Sequence, residues 1–178
     1  MTSGQTYRIV ELLPSDSLWI KAYSIEAENL KNFFGNELLE IHHIGSTAIP
    51  GILAKPIIDI MPVVKDIDII DSLNIQMEAV GYFAKGEYGI PGRRYFFKGG
   101  LNHRTHHVHV FPIRHLEIER HLNFRDYLRE HPSDAKAYSD LKEKLAIDFR
   151  KSPEKYSEGK TALIRELDEK AKIWKAAK

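Results

Sequence analysis

The run "PIIDIMPVV", Pro56 to Val64, is the feature that most narrows what this chain can become. It is apolar almost throughout and rich in β-branched residues. It is also far shorter than the roughly 20 apolar residues of a membrane-spanning helix, so it reads as a β-strand. Side chains alternate across a strand, which puts Ile57, Asp59 and Met61 on one face and Ile58 and Ile60 on the other. One acid, Asp59, therefore stands in an apolar frame. An ionised carboxylate there is costly unless its face is wet, a cation pairs with it, or it holds a metal. Lys55, Arg93 and Arg94 are the candidate cations.

The remaining pattern supplies elements to pack around this strand. "PSDSLWIKAYSIEAENLKNFF" predicts a helix capped by Ser15 or Asp16, with Trp19, Tyr23, Leu30 and Phe34 at helical spacing and Gly35 as terminator. "ELLEIHHI" predicts a strand leading into a Gly45-Ser46 turn. "DIDIIDSLNIQMEAVGY" predicts one capped helix that buries Ile69, Ile70, Leu73, Met77 and Val80 and stops at Gly81. "YFAKG", "RRYFFKG" and "HHVHVFP" predict three short strands between Gly-rich turns.

From about Leu116 the pattern is helical. Leu122, Tyr127 and Leu128 mark one helix, which breaks at "HPSD". Ala137, Leu141, Leu145 and Phe149 step along the next. Leu163, Ile164, Leu167, Ala171 and Trp174 stripe the last, after "KSPEKYSEGK" interrupts. The expected class is α+β: one domain over 1–178, with a mixed sheet flanked by helices over about 8–115 and packed C-terminal helices over 116–178. No linker-like stretch separates the two parts.

Composition limits the function classes. Net charge is +1 with the nine histidines neutral, so no global field attracts nucleic acid or an acidic membrane. An anion must be bound locally. The chain has no cysteine, which removes disulfides, thiolate catalysis and Cys-based zinc sites. No signal-peptide core is visible in "MTSGQTYRIVELLP". A soluble cytoplasmic protein without a membrane partner is the expectation.

Three features carry chemistry. A Gly45-Ser46 pair between a strand and a helix start can offer backbone N–H groups and a hydroxyl to a phosphate, or can be a turn with a helix cap. Asp59 is the second. The third is "RTHHVHVF", where alternation puts Thr105, His107, His109 and Phe111 on one face and His106, Val108 and Val110 on the other. His107 and His109 then form a metal pair, a proton-transfer and phosphate-contact pair, or an exposed face. Lys55, Arg93, Arg94, Lys98 and Arg104 are basic residues within reach in such a fold, and arginine forks suit phosphate. "KYSEGK", with Tyr156 and Lys160, can close over a ligand or merely cap a helix.

"HHIGSTAIPGILAKPIIDIMPVV", "HHVHVF" and "FRDYLREHPSDAKAYSDLKEKLA" together resemble the GrpB family, over roughly Val10 to Trp174. The resemblance implies a nucleotidyltransferase-like fold, in which a hydrophobic residue and a Gly-Ser pair precede an Asp-x-Asp element and a later strand adds a third acid. Ile44-Gly45-Ser46 and Asp59 match the first two parts of that pattern. Met61 stands where the second acid belongs, and His109 or His107 where the third does. Two-metal nucleotidyl transfer needs paired carboxylates.

The implied site is thus a single divalent ion, Mg²⁺ or Mn²⁺ ahead of Zn²⁺, on Asp59, His107 and His109, or no ion at all. Asp59 and His109 are the catalytic candidates, and Gly45, Ser46, Lys55, Arg94 and Lys160 the phosphate contacts. The expected partner is a nucleotide or another phosphorylated small molecule. The alternatives are a non-catalytic ligand-binding module with a degenerate site and a metal-dependent phosphoester hydrolase.

Overall fold

A computed structural model describes residues 9–100 and 102–178 of the chain. The reading of the N-terminus as free of a leader rests partly on residues 1–8, which lie outside the described residues. Five strands among those described form one mixed sheet: β1 (Leu38–Ile44), β2 (Ile58–Val64), β3 (Tyr82–Ala84), β4 (Arg94–Gly99) and β5 (Arg104–Pro112), in the order β1-β2-β5-β4-β3. β2 runs parallel to β5, and the other neighbours are antiparallel. The apolar run identified in the sequence thus lies inside the sheet, between β1 and β5. This explains why its side chains are apolar on both faces.

One face of the sheet is covered by α1 (Leu18–Phe34), α2 (Asp68–Asp71) and α3 (Asn74–Ala79). Trp19, Leu30, Phe34, Ile70 and Met77 pack there against Ile58, Ile60, Phe96, Val108 and Val110. Asp16 starts α1 by accepting the Leu18 N–H at 2.8 Å, and Gly35 ends it at φ 50°. α1 also buries an acid, Glu26, which accepts from the Tyr82 hydroxyl and from Lys98 Nζ.

The helix expected from 66 to 81 is two pieces instead. The Ser72 hydroxyl donates to the Ile69 carbonyl at 2.6 Å, a local bond that competes with helix continuation. Ile69 and Val80 are consequently exposed, while Ile70 and Met77 are buried.

The other face carries α4 (Leu116–Glu130), α5 (Pro132–Asp148), α6 (Pro153–Gly159) and α7 (Thr161–Ala176). Tyr127, Leu128, Leu167 and Ala171 form their shared core, flanked by Leu163, Ile164 and Trp174, as the stripe on α7 predicts. The buried side of α5 differs from the expected one. Ala137 is exposed, and Ala135, Tyr138, Ser139, Lys142 and Leu145 turn inward. That inward side meets a partly polar cleft, so hydrophobic periodicity alone misplaces it. No helix among the described residues is long and apolar enough to cross a membrane.

Candidate functional site

The sheet register assembles the centre. Asp59 on β2 pairs with His107 on the parallel β5, and Tyr95 on β4 pairs with His109. Val108 and Val110 point into the α1 side, so His107 and His109 face the C-terminal helices together with Asp59. His107 Nδ1 lies 3.1 Å and His109 Nε2 3.4 Å from Asp59 Oδ1. An ionised carboxylate only accepts, so both imidazoles present N–H to it. Burial pushes the Asp59 carboxyl up, but the hydrogen bonds and charge interactions from His107 and His109 outweigh it and hold the group well below the usual carboxylate range.

β1 ends at Ile44, which pairs with Asp59, so the Gly45 turn follows directly beside the carboxylate. Gly45 has φ 70° and ψ −173°, a conformation that side chains disfavour. A Cβ on it would overlap Asp59 Oδ2 and stand 3.0 Å from Asp59 Cβ and Cγ. The space glycine leaves is therefore filled by Asp59 itself.

Met61, two residues on, is fully buried against Ile44 and Phe111. The position expected of a second acid is part of the apolar packing under α4.

Beside this centre lies a cleft of about 240 Å³ that includes Ser46, Asp59, His107, Lys55, Lys142 and Lys160 in its wall. Three cations are brought to it from three parts of the chain. Lys55 comes from the loop before β2, Lys142 from the inward side of α5, and Lys160 from the start of α7. Tyr156 is the spacer between two of them: Lys55 Nζ is 4.3 Å and Lys160 Nζ 4.6 Å from its ring centre. Lys142 is almost completely buried, donates to the Leu53 carbonyl and lies 4.6 Å from the Tyr138 ring centre. Burial, and then the charge of Lys160, pushes its amine down to about 7. Burial also lowers Lys160, opposed by the charge of Asp59.

Arg94, expected at phosphate, is elsewhere. It shares its face with Val110, on the α1 side, and its guanidinium is forked onto Asp71 at 2.7 and 2.8 Å. The arginine of the site is its neighbour. Arg93 is buried, with Nη1 3.2 Å from His109 Nδ1, Nη2 donating to the Tyr88 carbonyl at 2.6 Å and Nε to the Glu87 carbonyl at 3.2 Å. Lys98 is committed to Glu26 at 2.7 Å, and Arg104 lies over the Phe97 ring at 4.1 Å.

Sequence reasoning missed Lys142, Tyr138 and His121. The last, on α4, sits with its ring centre 5.9 Å from that of His109; burial pushes it down to about 4. Strand alternation gave the histidine pair, whereas no pattern in α4 or α5 marks a polar residue as buried.

The molecule is thus a mixed α+β protein whose sheet sets an Asp-His-His centre beside a lysine-lined cleft. A sequence model of the GrpB protein family matches residues 9–170, and the chain belongs to that family. UPF0157 protein YqkA of Bacillus subtilis is 49% identical over 168 residues, which is 94% of this chain and 49% of that protein. UPF0157 protein PA4798 of Pseudomonas aeruginosa is 38% identical over 161 residues, 89% of this chain and 66% of that one. The chain therefore spans about half to two thirds of these relatives. A crystal structure of the conserved protein GrpB from Enterococcus faecalis superposes with a TM-score of 0.88 at 40% identity, covering 92% of this chain and 99% of that one.

Proposed function

We propose that the cleft binds a nucleotide or another phosphorylated small molecule, and that the Asp-His-His centre acts on it in a nucleotidyl transfer. The observation that carries this reading is the convergence of Lys55, Lys142 and Lys160 with Ser46 on the cleft that Asp59 and His107 also line. Burial and the charge of Lys160 hold the Lys142 amine down at about 7, and a polyanion in the cleft offsets both by favouring its ammonium form. Ser46 adds a hydroxyl donor at the same wall. In the transfer, an acceptor hydroxyl or amine gives its proton up to water and bonds to the α-phosphorus as the bond to the pyrophosphate oxygen breaks, and the lysines neutralise the leaving charge.

The donor atoms of Asp59, His107 and His109 lie within 4.8 Å of one another, a spacing that one ion spans. One carboxylate and two imidazoles do not fit a pair of Mg²⁺ ions, which take mainly oxygen ligands. They fit one ion that accepts both oxygen and nitrogen, such as Mn²⁺. When bound, such an ion would stabilise charge on the phosphoryl oxygens.

Burial of Met61 at the second-acid position favours a second reading, a module that holds the ligand without turning it over. One experiment separates the two: calorimetric titration with nucleoside triphosphates, with and without Mn²⁺, beside an assay for pyrophosphate release. Transfer predicts Mn²⁺-dependent release that Asp59→Asn abolishes. The binding module predicts affinity without release and indifferent to Asp59→Asn. No affinity for any nucleotide or inorganic polyphosphate at millimolar concentration removes both.

A further inference from the structure

His109 faces two partners at once, and together they fix its chemistry. A neutral imidazole has one N–H and one lone pair. Arg93 Nη1, 3.2 Å from His109 Nδ1, belongs to a guanidinium that can only donate, so Nδ1 must supply the lone pair. The N–H then lies on Nε2, which faces the Asp59 carboxylate.

We propose that Arg93 withholds His109 from metal ligation, leaving Asp59 and His107 as the residues that meet a divalent ion. For His109 Nε2 to ligate an ion, its proton must move to Nδ1, where Arg93 presents another N–H and no acceptor. Arg93 is not loosely held: the Glu87 and Tyr88 carbonyls fix its Nε and Nη2, and its guanidinium lies 5.0 Å from the Tyr95 ring centre.

His107 is arranged in the opposite sense. Its Nδ1–H points to Asp59, its Nε2 is buried without a hydrogen-bond partner, and the residue lines the lysine cleft. Asp59 and Nε2 lie at opposite edges of the ring, so an ion shared with Asp59 takes Nδ1, and no donor faces Nε2 to oppose the proton moving there. With two protein ligands instead of three, the remaining coordination positions fall to oxygens of the phosphorylated ligand. The ion then binds weakly alone and more tightly with that ligand. Arg93 is a positioning residue in this scheme, and the scheme rests on the reading of the centre as an ion site.

The test reads tautomer and affinity separately. Nitrogen-15 NMR of the histidine side chains in the full chain is expected to give Nε2–H for His109 in the wild type and in Arg93→Lys, which keeps a donor. In Arg93→Gln, whose carbonyl can accept from Nδ1–H, the tautomer is expected to switch. Titration with Mn²⁺ alone is expected to be tighter by at least about tenfold in Arg93→Gln than in the wild type, the scale of outer-shell effects on metal sites.

An Nδ1–H tautomer in the wild type overturns the proposal, and needs no variant to fold. Equal Mn²⁺ affinity in wild type and Arg93→Gln also overturns it. If neither protein takes up Mn²⁺, with or without a nucleoside triphosphate, the ion reading falls and this scheme with it, whereas a failed tautomer switch alone leaves the ion reading standing.

Discussion

Gly45→Ala is the perturbation most closely specified by the geometry. The substitution adds one carbon in two unfavourable settings. At φ 70° and ψ −173° an alanine is strained, at about 1–3 kcal/mol for so sparsely populated a region. Its Cβ also overlaps the Asp59 carboxylate, and forcing an extra methyl into packed surroundings costs a further 1–3 kcal/mol or so. The sum is about 2–6 kcal/mol.

Gly51 supplies the control. It has φ 79°, yet a Cβ there would meet nothing within 4 Å, so Gly51→Ala feels the strain without the overlap, at about 1–2 kcal/mol. Urea unfolding of both variants gives the difference, expected at about 1–4 kcal/mol, made up of the overlap and the larger backbone strain at Gly45. Displacing Asp59 should also move the His107 and His109 ring resonances, in Gly45→Ala only. Equal destabilisation by the two alanines, with unchanged histidine resonances in both, would refute the reasoning that Gly45 exists to admit Asp59.

Other predictions follow from the same packing. Lys142 is held near 7 when folded against 10.5 ordinarily, so between those values the unfolded chain binds the extra proton and stability rises with pH. Lys142→Met should flatten that rise in urea unfolding measured from pH 7 to 10. A phosphorylated ligand favours the ammonium form, so binding at pH 8 should take up protons, detected by calorimetry in buffers of different ionisation enthalpy; zero uptake contradicts the placement of Lys142 at the ligand. Arg94→Ala should leave triphosphate affinity unchanged and cost no more than about 1 kcal/mol of stability, because its partners Asp68 and Asp71 are largely solvated. Glu26→Ala strands Lys98 and the Tyr82 hydroxyl and should cost about 3–5 kcal/mol in the same unfolding assay.

The sequence made the sheet readable because a strand has the simplest period. Alternation alone put His107 and His109 on one face and Val108 and Val110 on the other. The apolar run at 56–64 could only be a strand, so Asp59 stood out at once. What alternation could not decide was parity where a strand begins at a turn. Arg93 and Arg94 are adjacent, and a single-residue offset sends one to His109 and the other to Asp71.

Helices hid more. Lys142 and Tyr138 fall off the apolar stripe read for α5, because a polar side chain on a helix is buried only by what packs against it. Here the packing partners are α6 and the 46–55 loop, the latter distant in sequence. Ser72 broke a helix that its apolar spacing supported, through one side-chain bond. Family resemblance supplied the expectation of paired acids; Met61 departs from it, and its full burial explains why that position cannot be polar here.

The central claim is that the lysine cleft beside Asp59 and His107 holds phosphate groups. The most direct measurement is a crystal structure of the protein soaked with a non-hydrolysable nucleoside triphosphate and Mn²⁺. The account predicts phosphate density contacting Lys142, Lys160 and Ser46, with Mn²⁺ on the Asp59 and His107 side of it. Phosphates bound elsewhere, or a clear cleft at millimolar ligand, would contradict it.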